Sequence, residues 1–388
     1  MPLHFTREEF AQRRQRACAA LADAGLDGVV LFRQESLYWL TGYDSFGYVY
    51  FQCGWLGADG RMALLVRVPD LRQARYTSLV DDVRTWTDGD GARPEAALRD
   101  LLAGYGAAGM RVGVEYDAYG LTAAGGRRLD AALDGFCRAE DASGLVTRLR
   151  LVKSAAEIAC AREAAGHADA ALAAALPLLR PGTFEGDLFA AMHGAVYRRG
   201  GDDPANEFII GSGPAALLSR YQTGRRTLGA DDQVTLEFAG VARHYHACLM
   251  RTYKVGTPPL ARQRDLHAVA LDALAACEAR ARPGATFGAV FEAYRATCDA
   301  AGMAAHRYAA CGYSLGATFA PNWMDWPMFY AGNPVVLAPG MVVFLHMILM
   351  DSDAGVAACP GRTVLVTEGG CEPLSAMPLT LTPEEALP

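Results

Sequence analysis

A two-domain α/β (α+β) protein is the fold class this sequence predicts, and three observations carry that expectation. The chain has 388 residues, more than one core usually organises. Its first part alternates short β-rich runs with helical stretches, the pattern of an α/β domain. The remainder reads helix, helix, hairpin, and then helix, helix, hairpin again, a repeat in element order but not in residue identity.

The elements follow in order. The start, MPLHFTREEFAQRRQRACAA, reads as a first helix with Thr6 as N-cap and Glu9 three residues on. DGVVLF (27–32), RMALLVRV (61–68) and RVGVEY (111–116) are β-rich runs, with helical stretches such as RPEAALRDLLAGYG between and after them. Ser154 and Glu157 have capping-box spacing and open a long helix. The domain boundary is placed just before it, giving domains 1–146 and 147–388. FEGDLFAAMHGAVYRRG supplies a second helix, and two more span about 258–281 and 287–301. Each pair precedes a strand-rich stretch.

Composition narrows the function classes. Apolar residues make up 52% and charged residues 20%, an ordinary globular balance. A net charge of −7 argues against a nucleic-acid partner. The absence of an 18-residue apolar tract argues against a membrane span, and the N-terminus lacks the apolar core of a secretory signal. Ten cysteines, without CxxC or CxH spacing, read as reduced core thiols of a cytoplasmic protein. Lysine occurs only at Lys153 and Lys254, which supplies Schiff-base or P-loop chemistry poorly.

Seven segments, in one order over nearly the whole chain, resemble the creatinase, prolidase and aminopeptidase P superfamily. SLYWLTGYD (36–44) is similar to the N-domain segment that reaches a neighbouring active site, and LRLVKSAAEI to the interdomain linker. IIGSGPAALLSRYQTGRRTLGADDQVTLEFAG and GVARHYHACLMRTYKVG resemble the strands bearing the two metal aspartates. CGYSLG resembles the histidine segment, and PGMVVFLHMILM and GRTVLVTEGGCEPLS the closing glutamate strands. The resemblance implies a creatinase-like N-terminal α/β domain followed by a pita-bread catalytic domain with pseudo-twofold αα-hairpin repeats, and a homodimer.

Metal-using members hold two ions with two Asp, one His and two Glu. Here the matching positions read Glu237, Cys248, Tyr313, His346 and Gly361. Hard divalent cations need clustered carboxylates to offset their charge, so no metal or other cofactor is expected. A single zinc on Glu237, Cys248 and His346 is the alternative. The pattern E-x-x-G-x-x-x-x-Y-H from Glu237 to His246, with GYSLG and Pro321-Asn322-Trp323, places the chain nearest ectoine-hydrolase-like members, with creatinase-like members next.

The residues suggest roles. Half-buried, Glu237 would have a raised pKa suited to a general base or nucleophile; a structural ion pair with Arg251 or Arg226 is the competing reading. His346 lies on an apolar strand and is expected to protonate a leaving nitrogen near neutral pH. Among the catalytic candidates His246 is favoured in the site, with His244 at its rim, and Tyr313 would donate to an oxyanion. Arg220 and Arg251 are expected to bind substrate, Arg220 by gripping a carboxylate. Tyr43, Tyr48, Trp323 and Trp326 would stack around a delocalised cation, and Cys248 would line the site. A carboxylate grip with an aromatic cage implies a small zwitterionic substrate. The expected activity is metal-independent hydrolysis of a non-peptide C–N bond in an amidine or ureido compound. Creatinase-type amidino cleavage, a metal-dependent Xaa-Pro dipeptidase, a lyase on a sulfonium or ammonium zwitterion and a non-catalytic binding module are the alternatives.

Overall fold

The computed structural model describes residues 3–220 and 224–387, and the chain divides into two compact units, Met1–Arg150 and Leu151–Pro388. In the first unit a mixed sheet runs β4-β3-β2-β1-β5-β6, with β1 Gly28–Leu31, β2 Cys53–Gly57, β3 Met62–Arg67, β4 Asp82–Trp86, β5 Arg111–Val114 and β6 Arg138–Asp141. Helices α1 Arg7–Ala24, α2 Gln34–Thr41, α3 Leu71–Thr77, α4 Pro94–Gly104, α5 Ala123–Leu133 and α6 Leu145–Arg150 accompany it. Thr6 caps α1 by accepting from the Glu9 amide. The residue at which the sequence places the boundary, Thr147, falls inside α6. That helix belongs to the first core, through buried Leu145 and Val146 and a hydrogen bond from Arg16 Nη2 to Leu149 O at 2.7 Å.

The second unit opens on α7 Ala155–Ala175, capped by the reciprocal Ser154–Glu157 box. After it come α8 Glu185–Arg198, β7 Ile209–Ser212, β8 Gln233–Ala242 and β9 Tyr245–Lys254. The second half holds α9 Ala261–Arg280, α10 Phe287–Ala300, β10 Ala310–Ser314, β11 Asp325–Tyr330, β12 Val342–His346, β13 Leu349–Asp351, β14 Val356–Ala358, β15 Gly361–Thr367 and β16 Gly370–Pro373. The main sheet runs β11-β10-β12-β15-β9-β8-β7, with β16 beside β15, and β13 and β14 pair separately.

The β8–β9 hairpin is its spine. Every residue of both strands is buried, because helices cover one face and the site occupies the other. Its turn is Arg243-His244, both at positive φ (50° and 65°), as a two-residue hairpin requires. His244 therefore belongs to the turn and stacks on Phe319, with ring centroids 4.2 Å apart. On the helix face, α7 crosses so closely that a Cβ on Gly240 would lie 2.0 Å from Ala164 O and 2.3 Å from Ala168 N. These are backbone atoms of a packed helix and cannot rotate aside. Gly240→Ala is therefore expected to force α7 off the sheet, at about 3 kcal/mol or more. Thermal melting measures this; an unchanged midpoint would refute the account of the close approach.

Candidate active site

On the concave face, backbone register lines up a row across five strands: Ile209, Glu237, Met250, Gly361 and His346. Glu237 is 7% exposed. Burial drives its pKa up to about 7, against partial opposition from the Arg220 charge and a hydrogen bond from Tyr313. Tyr313 stands on β10, four strand spacings from β8, about 19 Å in a flat sheet. Its hydroxyl nevertheless lies 3.4 Å from Glu237 Oε1. The sheet curls to allow this: His246 N donates to Gly316 O, and Thr318 N to His244 O, which seats the hairpin tip on the segment after β10. Register shifts on both sides of Tyr313 re-aim its side chain. Trp323 Nε1 donates to the Tyr313 oxygen at 2.8 Å, leaving the hydroxyl proton to point at Glu237.

No described residue forms an ion pair with Glu237. Arg226 is taken by Asp232. Arg251 pairs in register with Leu236, so it projects from the opposite face, where it donates to the carbonyls of Met250, Gly361, Met377 and Pro378. It is a strut between strands and not the substrate contact the sequence suggests. The competing structural ion pair for Glu237 is absent for the same reason.

His246 shares Glu237's face but lies beyond its reach, four positions along the hairpin. Its Nε2 accepts from Ala205 N–H at 2.9 Å, which puts the ring proton on Nδ1, facing His244 O at 2.8 Å. Burial, with His244 nearby, lowers it to about 3. Both nitrogens serve the fold, and the expected catalytic role finds no geometry. His346 packs beside Tyr313, with ring centroids 5.5 Å apart. Burial lowers its pKa to about 4, so at neutral pH it holds no imidazolium proton to give. Its Nδ1 is buried without a hydrogen-bond partner among the described residues. A polar substrate atom would satisfy it.

The aromatic cage resolves differently from expectation. Tyr43 is fully buried in the first unit, with its hydroxyl 3.1 Å from Gln52 Oε1, and Tyr48 is also buried there. Trp326 is 40% exposed on the edge strand β11. Trp323 alone joins Glu237's cluster, as Tyr313's donor. Cys248, on Glu237's face, exchanges hydrogen bonds with Thr363. Burial and the Glu237 charge push its thiol well up, the reverse of nucleophile activation.

Arg220 stands near enough to bias the charges of Glu237, Tyr313 and His346. Its loop is bolted at both ends to one buried carboxylate that sequence reading missed. Glu185 Oε1 accepts from Ser212 N and Oγ, and Oε2 from the amides of Gly224, Arg225 and Arg226. These partners lie 27 to 41 residues away, so no local pattern announces them. Beside Arg220 a cavity of about 360 Å³ is lined also by the segment 204–209 and by Ala320 and Pro321, and it too went unread.

A dinuclear metal set does not fit this site. The described residues contain no group of three or more His, Cys, Asp or Glu able to hold an ion. At Gly361 a Cβ would sit 3.0 Å from His346 Cβ and from Phe344 Cζ, so a carboxylate side chain there would need these two neighbours to give way.

A two-unit chain with a curled catalytic sheet and a buried acid on its concave face belongs to the pita-bread class. Residues 159–368 match metallopeptidase family M24 and residues 13–152 the creatinase/prolidase N-terminal domain, and the chain belongs to this family. It is a hydrolase acting on C–N bonds. It is 28% identical to the ectoine hydrolase of Halomonas elongata over 98% of both chains. It is likewise 28% identical to the probable dipeptidase PepE of Mycobacterium tuberculosis over 96% of both. The structure of dipeptidase PepE from Mycobacterium ulcerans superposes with a TM-score of 0.84 at 26% identity, covering 97% of this chain and 98% of that one. The Xaa-Pro dipeptidase from Bacillus anthracis shares the fold, with a TM-score of 0.83 at 21% identity, over 96% and 99%. No helix among the described residues is long and apolar enough to cross a membrane.

The Glu237 environment has a thermodynamic consequence. A carboxyl raised from 4.5 to about 7 on folding binds its proton more tightly in the native state. Stability therefore falls as pH rises from 4.5 to about 7, and the full penalty, on the order of 3 kcal/mol, applies above that window. Glu237→Gln removes the ionisation. It is expected to melt above the parent at pH 8 and level with it at pH 4.5. A variant equally shifted at both pH values would contradict the burial argument.

Proposed function

We propose that this chain is a metal-independent hydrolase of a small zwitterionic amidine or ureido compound, with ectoine-type ring opening as the leading reaction. The observation that carries the reading is Glu237: buried, without an ion pair among the described residues, poised near neutrality and aimed at by the Tyr313 hydroxyl. The whole-length similarity to an ectoine hydrolase supports the choice of substrate class.

The proposed chemistry needs one shuttling carboxyl. Ionised Glu237 takes a proton from water as the water oxygen bonds to the amidine carbon. The same proton then passes from Glu237 to the departing nitrogen as the C–N bond breaks and the added oxygen becomes a carbonyl, whose remaining proton passes through Glu237 to the released amine. A pKa near 7 suits both directions at neutral pH. Tyr313, held by Trp323, donates to the carboxylate or to oxygen developing negative charge. His346 enters as a neutral ring that orients substrate through Nδ1, and not as the acid the sequence suggests. Creatinase-type amidino cleavage would use the same groups, and turnover of creatine in place of ectoine would select it. The dipeptidase reading needs a ligand set that this site does not offer.

In steady-state assays on ectoine, kcat/KM should rise with pH through about 7, where the base ionises. Glu237→Gln should lose roughly two to four decades of turnover, and the purified enzyme should keep its activity through chelation with less than one ion per chain by elemental analysis. Near-parental turnover in Glu237→Gln, or activity that follows metal content, would sink the reading.

We also propose a homodimer. With Tyr38, Tyr43 and Tyr48 in the core, the apolar side chains left at the surface of that segment are Phe46 (77% exposed), Val49 (62%) and Tyr50 (49%). Sedimentation should give a dimer at micromolar concentration and a monomer for Phe46→Ser/Val49→Ser; a monomeric parent would dismiss it.

A further inference from the structure

We infer that the cavity beside Glu237 reads both charges of its ligand, Arg220 taking the carboxylate and Glu207 the cationic nitrogen. This assignment rests on the reading of the enzyme as a hydrolase of small zwitterions and identifies what replaces the aromatic cage.

The cavity, about 360 Å³, lies at the small end of ligand sites (~300–1,000 Å³). Most of its wall is apolar, from Pro204, Phe208, Ile209 and Pro321. The two charged residues in its lining are Arg220 and Glu207, of opposite sign. Ile209 pairs in register with Glu237, so the cavity begins in the strand beside the catalytic carboxylate. Glu207 is two residues before Ile209, just ahead of β7, and lines the same cavity. Asn206 Nδ2 donates to the Glu207 carbonyl at 2.8 Å, which steadies the backbone that presents the carboxylate.

A dipolar ion entering such a space must find partners for both ends, since an unpaired charge against an apolar wall is costly. Arg220 supplies a planar fork for the carboxylate. The aromatic candidates for the cation are elsewhere: Trp323 is 2% exposed with its N–H on Tyr313, and Trp326 is on the edge strand β11. Glu237 must stay available to water. Glu207 is the anionic lining residue that remains. Paired in this way, the ligand's long axis runs between residues 207 and 220, and its electrophilic carbon is held toward the row containing Glu237.

The test is calorimetric binding with Glu237→Gln present throughout, so that no probe is consumed. Three probes are used: ectoine, cyclohexanecarboxylate (anion only) and acetamidinium (cation only). Adding Glu207→Gln should weaken ectoine and acetamidinium at least tenfold and leave cyclohexanecarboxylate unchanged. Adding Arg220→Gln should weaken ectoine and cyclohexanecarboxylate and spare acetamidinium. Both side chains are exposed, and unchanged melting curves will confirm folding. Ectoine binding indifferent to Glu207→Gln, equal loss of all three probes, or no binding of any probe overturns the assignment. Ectoine that binds with the predicted pattern but is not turned over by the parent enzyme removes the hydrolytic reading and leaves the two-charge cavity standing.

Discussion

The fully buried β8–β9 hairpin is the constraint on which the catalytic unit depends. Its ten register pairs run from Gln233–Lys254 to Ala242–Tyr245, and each pair assigns two side chains to one face of the sheet. The helix face must be smooth enough for α7 to settle on it, which Gly240 permits. The opposite face then receives Glu237, Cys248 and His246 at fixed intervals. Because the hairpin tip is hydrogen-bonded to the segment after β10, the sheet curls, and a tyrosine four strands away closes on the carboxylate. Shape and chemistry are thus set by the same pairings.

The site runs against stability. A buried carboxyl group with one 3.4 Å hydrogen bond from the described residues is costly to ionise, and a glutamine there would be easier to fold around. Elsewhere the chain treats buried acids differently. Glu185 accepts five hydrogen bonds from the 212 and 224–226 backbone and Ser212, and Glu157 takes Tyr245 and the Ser154 amide. Those carboxylates hold loops and helices in place. Among the described residues Glu237 has no such set of partners, and burial without them raises it toward neutrality.

The row of residues around Glu237 is closely packed. His346 and Phe344 occupy the space beside Gly361, and Trp323 and Tyr313 form a hydrogen-bonded pair directed at Glu237. Cys248 is a small apolar filler whose backbone is tied to Thr363. The cluster presents one carboxyl with an oriented phenol. In the proposed reaction this arrangement serves proton transfer to and from water.

The sequence by itself determined the family, the caps of two helices and several of the strands. Thr6, Ser154 and Glu157 are local capping signals that need no tertiary information. The β-rich runs at 27–32, 61–68 and 111–116 declare themselves by composition and contain β1, β3 and β5. The ordered segments fixed the family, and Glu237 was legible because its strand is. The pattern Glu237-x-x-Gly240-x-x-x-x-Tyr245-His246 was also visible, but its meaning was not. Only tertiary structure shows that Gly240 admits α7, Tyr245 reaches Glu157 and His246 holds Ala205, leaving Glu237 as the residue of that pattern not engaged in such a role. Strand alternation gives a residue's side of the sheet only when register is known, which is why Arg251 read as a substrate contact and proved to be a strut. The Tyr313–Glu237 contact, the Glu185 clamp and the Arg220–Glu207 cavity join residues far apart in the chain. They depend on curvature, bulges and loop closure, which arise from the packing of the whole unit and leave no mark in any short stretch of sequence.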